Sequence, residues 1–136
     1  MSKRFMKVAV GAVFALAAAG VASAHHSFAM FDSQRTVEYS GTVSVIQWTN
    51  PHVWIDVIVT DPQSGATKTL SVEGPSVAAL MDVGWDRKAL TVGDRIDIFV
   101  HPLKSGQLGG ALVKVVKNGV VFEANKKNPP PAKATP

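Results

Sequence analysis

Four histidines and no cysteine bound the site chemistry open to this sequence of 136 residues. Without thiols there is no disulfide framework, no thiolate zinc site and no cysteine nucleophile. His25 and His26 follow Ala22-Ser23-Ala24, the small residues a signal peptidase requires, so cleavage after Ala24 makes His25 a new N-terminus. A terminal histidine offers its α-amine and ring nitrogen as a chelating pair near neutral pH, the amine titrating at about 7.7–8.0. Nitrogen-only ligation favours Cu(II), then Ni(II) or Zn(II). The plain alternative is a solvated arm.

Asn50-Pro51-His52-Val53-Trp54 is the densest cluster in the chain. Period-two alternation that turns Val53, Ile55, Val57 and Val59 inward sends His52, Trp54, Asp56 and Ile58 outward. The same rule applied to the preceding strand places Ile46 and Trp48 outside as well. Ile46, Trp48, Asn50, Trp54 and Asp56 then form a candidate ligand or partner surface. The alternative is that Phe28, Met30 and Phe31 cover this patch. The fourth histidine, His101, precedes Pro102 at the end of a strand pattern, where a capping role competes with ligation.

Enzymatic constellations are missing. Lys104 to Gly110 resembles a phosphate-cradling loop, but no helix follows it. Ser27, His52 and Asp56 lack a nucleophile elbow, and no carboxylate pair has acid/base spacing. The expectation is a non-enzymatic binding module.

The elements that position these residues follow from patterning. Lys3, Arg4 and Lys7 precede the apolar run Val8 to Val21, which falls short of the roughly 20 residues of a membrane span. Residues 1–24 therefore read as a cleaved bacterial signal peptide and the protein as periplasmic, not an integral membrane protein. Three of the 14 basic residues lie in that leader and three in the tail, so His25 to Ala124 carries 8 basic against 10 acidic residues. The sequence pI near 9.6 thus implies no nucleic-acid footprint.

Residues 25–35 form an arm, 36–124 a β domain and 125–136 a disordered Lys/Pro tail. Strand patterns run from Thr36 with Gly41 as an interruption, from His52 to Thr60, and from Thr67 to Val72. A short helix follows with Pro75 in its first turn and Gly84 as its stop. Arg95 to His101 and two strands around the Asn118-Gly119 turn complete the order. Three strands, one helix, then two or three strands is the layout of a small OB-like barrel of five to six strands, a mainly β fold.

In that topology strands two and four are parallel, with His52 starting one and His101 ending the other. Seven residues at about 3.3 Å each then separate the two histidines by about 20 Å at opposite barrel ends. An extended arm of about 35 Å reaches either end, so His25 and His26 would be joined by His52 or by His101.

The segments HHSFAMFD, QWTNPHVWI, Glu73-Gly74-Pro75, Gly84-Trp85, Leu90-Thr91-Val92-Gly93-Asp94 and His101-Pro102-Leu103 together resemble a family of small exported bacterial proteins of unknown function. The resemblance runs from His25 to about Phe122 and contains all four histidines. It implies export and the barrel, and brings no activity with it. The resulting expectation is an exported OB-like protein that binds a divalent metal, copper first, through His25, His26, His52 and His101. The alternative is a periplasmic protein-interaction module without metal, working through the Trp/Ile surface.

Overall fold

Alternating Val and Ile residues make six strands in the computed structural model, which describes residues 28–126. These are β1 (Val37–Gln47), β2 (Trp54–Thr60), β3 (Thr67–Glu73), β4 (Arg95–Pro102), β5 (Gly110–Lys117) and β6 (Val120–Glu123). Helix α1 (Val77–Asp82) lies between β3 and β4. The signal segment, Ser27, the predicted ligands His25 and His26, and the tail from residue 127 lie outside the described residues.

β1, β2 and β3 form an antiparallel meander, and β1 also pairs antiparallel with β4, which pairs with β5. A short parallel pairing of Val72 and Glu73 with Gly110 and Ala111 closes the ring. β6 adds an antiparallel strand outside it, on β5. The ring order with one helix between its third and fourth strands is that of the expected OB-like barrel.

Val57, Leu70, Val72, Ile98, Val100 and Val115 fill the interior, all fully buried. Leu80 of α1 and Trp85 just beyond it join this core. The Trp85 indole N–H donates to the Glu123 carbonyl at 2.8 Å, so the buried ring keeps its polar atom satisfied. Its ring leans on Phe122, with centroids 5.4 Å apart.

Two turns have the backbone their residues favour. Asn118 and Gly119 both have positive φ, 51° and 79°, as a two-residue primed hairpin turn requires. Gly84, at φ 98°, follows the helix end. The helix start differs from expectation. Ser76 is the N-cap, its Oγ accepting from the Ala79 N–H at 3.2 Å, while Pro75 stays outside and its carbonyl accepts from Val53 N–H at 3.0 Å.

One irregularity redirects a predicted surface. The β1–β2 register slips between Val43, opposite Val57, and Val45, opposite Asp56, leaving Ser44 as an extra residue. Such a bulge shifts the alternation by one position. Val45 therefore faces out and is exposed, whereas Ile46 and Trp48 turn in and pack against the core. The expectation that Ile46 and Trp48 lie on the outer face is thus overturned.

Candidate functional site

The β2–β3 ladder continues past the strands, because Gly74 N–H bonds the Val53 carbonyl at 2.7 Å and Val53 in turn bonds Pro75. This extension sets His52 over the end of β3. Its Nδ1 lies 3.0 Å from the Gly74 carbonyl, which can only accept, so the ring places a proton on Nδ1. In the neutral tautomer Nε2 then carries the lone pair. Nε2 faces Glu73 Oε1 at 3.4 Å, with the two side chains 27% and 11% exposed. A lone pair set against a carboxylate is repulsive unless a cation, a proton or a metal ion, stands between them.

His101 has the same arrangement on its inner nitrogen. Its Nδ1 donates to the Arg35 carbonyl at 2.7 Å. The Asp32–Arg35 turn is itself fastened beside the end of β4, where Asp32 N–H donates to Pro102 O at 2.8 Å.

The structure corrects the expected separation of the two histidines. His101 pairs with Ala111, and Ala111 pairs with Glu73, the residue His52 touches. Two strand spacings of about 4.8 Å put Glu73 and His101 about 10 Å apart, with only the methyl of Ala111 between them in the row. Counting along β1 follows the barrel the long way round. The accumulated stagger of a closed barrel brings strand ends that look opposite into one transverse row. Among the described residues, no three His, Asp or Glu side chains converge as a metal cage.

The remaining predicted residues divide by role. Asn50, reached through a cis peptide to Pro51, accepts the Val77 N–H on Oδ1 at 3.1 Å and so caps α1 from the opposite segment. Asp56 faces out, where its Oδ1 accepts from Ser71 Oγ at 2.6 Å. Trp54 also faces out, between Gln47 and Glu73, and with Val45 and Ile58 it leaves an exposed apolar face on β1 and β2. Ile46 and Trp48 instead line an internal hollow of about 190 Å³ with Trp85 and Arg87.

Glu73 and Arg87 are absent from the residues singled out by sequence. Glu73 had one signal, its place in the Glu-Gly-Pro segment, while Arg87 sits in a polar loop with none. The two carboxylates with displaced titration lie elsewhere. Lys68, with the N–H groups of Gln63 and Ser64, lowers Asp61 to about 2. Lys117 and the Thr91 N–H lower Asp94.

Among the described residues no helix is long and apolar enough to cross a membrane. Residues 13–129 match the model of a Family of unknown function (DUF6152). No curated protein and no solved structure matches the chain.

Proposed function

We propose that the chain, which belongs to that family, is an exported periplasmic binding protein that holds a divalent cation at the His52–Glu73 corner, Cu(II) foremost. The observation that carries this reading is the imidazole Nε2 set 3.4 Å from the Glu73 carboxylate while Nδ1–H is tied to a backbone carbonyl. Metal-ligating histidines present one nitrogen to the ion and give the other N–H to such a carbonyl, which fixes ring and tautomer. His101 has the same tie, to Arg35, and lies in the same row of the barrel as Glu73. A carboxylate beside imidazoles suits a borderline dication, and further nitrogen donors raise the preference for copper. His25 and His26, with the terminal amine, are the further donors.

Calorimetric titration of processed protein with Cu(II) tests the reading. One saturable site is expected, tighter than that of a His-His peptide. His52→Ala and Glu73→Gln should each weaken it by at least about tenfold, the scale on which even supporting groups act at metal sites. Unchanged affinity in both variants refutes the corner as the site. Unchanged affinity in His25→Ala with His26→Ala removes the terminal pair from the ligand set.

The exposed Trp54, Val45 and Ile58 side chains favour a second reading, a protein-interaction face on the outside of β1 and β2. It predicts that Trp54→Ala abolishes co-purification of a periplasmic partner while chelators leave the complex intact. A partner retained by Trp54→Ala, or released by chelator, excludes it.

A further inference from the structure

The end of the barrel toward which Trp48 turns is incompletely filled. The hollow of about 190 Å³ has Val53, Ile55 and Leu90, all buried, at its floor. A second hollow of about 430 Å³ adjoins it, walled by Trp48, Val77 and Met81. Trp48, Asp86 and Arg87 belong to the walls of both. The larger hollow, a cleft beside α1, by itself lies within the roughly 300–1,000 Å³ of pockets that take small organic ligands.

The rim carries both signs, Asp86 standing beside Arg87 and Lys88, and the balance is one positive charge. Arg87 and Lys88 form no salt bridge among the described residues. The two acids close by have other contacts, and only Asp82 is neutralised by an ion pair. Asp86 turns Oδ1 back to the Lys88 N–H at 2.7 Å, and Asp82 is paired with Lys126 at 2.6 Å. The Trp85 indole N–H, spent on Glu123, adds no donor to the cleft. An apolar cleft whose mouth carries two cations against one carboxylate fits a ligand with an apolar body and a single anionic head.

We propose that this cleft binds a free carboxylate of medium acyl length, its chain lying on Trp48 and Met81 and its head meeting Arg87 and Lys88. Guanidinium suits the carboxylate, since its parallel N–H groups match the two oxygens. The acyl chain would cover the Met81 side chain, which stands 59% exposed on the helix. This site shares no residue with the His52–Glu73 corner and stands whether or not a metal binds there.

The test is calorimetric titration of processed protein with decanoate and with decanol, below their aggregation limits and with EDTA present. Decanoate should bind one to one, and decanol at least about tenfold more weakly, the weight of one charge-assisted hydrogen bond. Arg87→Ala with Lys88→Ala, both exposed positions, should bring decanoate down to the decanol affinity and leave decanol unchanged. Decanol binding as tightly as decanoate overturns the proposal. So does a double variant with unchanged decanoate affinity, or the absence of a saturable site.

Discussion

Gly41→Ala tests whether the barrel's coiling rests on a close backbone approach in β1. Gly41 pairs with Val59 on one side and Ile96 on the other, so no strand edge is free to move away. An added Cβ would stand 2.3 Å from the Ile58 carbonyl oxygen and 2.7 Å from Val57 Cγ1, against 3.4–4 Å for ordinary contact. The oxygen belongs to the backbone, so no rotamer change relieves the overlap and β1 must part from β2. Overpacking of this kind costs about 1–3 kcal/mol, and straining the neighbouring ladder hydrogen bonds raises the expectation to about 3 kcal/mol. For a domain of this size that lowers Tm by about 12–24 °C in a circular dichroism melt. Gly65→Ala is the contrast, because its Cβ meets nothing within 4 Å and only its φ of 70° resists. That strain is worth about 1–2 kcal/mol. If Gly41→Ala melts within about 3 °C of wild type, or no lower than Gly65→Ala, the close-approach argument is wrong.

Asn50→Ala should cost about 1 kcal/mol in denaturant unfolding through loss of the Val77 cap, with Asn50→Asp largely retaining it. Trp85→Phe removes the donor to Glu123 and shrinks the plug, for a loss of about 2 kcal/mol or more by the same assay. Asp61, lowered from 3.8 to about 2, adds stability above its ordinary value that is lost as pH falls from near 3.8 toward 2. Lys68→Met should move the Asp61 carboxyl titration upward in an NMR pH series, and an unmoved midpoint contradicts the Lys68 assignment. Lys117→Met should do the same for Asp94, whose depression likewise stabilises at higher pH and fades on acidification.

The parts of the fold legible in the sequence are those set by local chemistry. Val53, Ile55, Val57 and Val59 alternate strictly, and all four are buried. Asn118-Gly119 names its turn type, and Gly41 marks the place where β1 must pass close to β2. The Ser44 bulge left no such mark. Val43, Val45 and Ile46 are all β-branched, so either register offers a hydrophobic face, and only pairing with β2 selects the one that buries Ile46. The nearness of His101 to Glu73 was hidden for a different reason. It depends on the stagger summed around the ring, which no single strand carries. Glu73 carries little signal in the sequence because a glutamate ending a strand reads as ordinary solvated surface, whereas its side chain is nearly covered.

The segment from Trp48 to Trp54 now explains why so many uncommon residues stand together. It joins β1 to β2 across one end of the barrel, where inside, outside and helix meet. Trp48, turned inward by the bulge, walls the cleft, and Asn50 reaches sideways to cap α1. His52 returns on the outer side against Glu73, and Trp54 opens the exposed face of β2. The cap couples the two candidate sites, because it holds α1, which carries Val77 and Met81 of the cleft wall, against the turn that sets His52. Loosening it in Asn50→Ala should therefore weaken Cu(II) and decanoate binding together, whereas Glu73→Gln should affect only the metal and Arg87→Ala only the carboxylate. Titration of each ligand against the three variants separates these cases. An Asn50→Ala protein that binds both as wild type does would show that the corner and the cleft are positioned independently of α1.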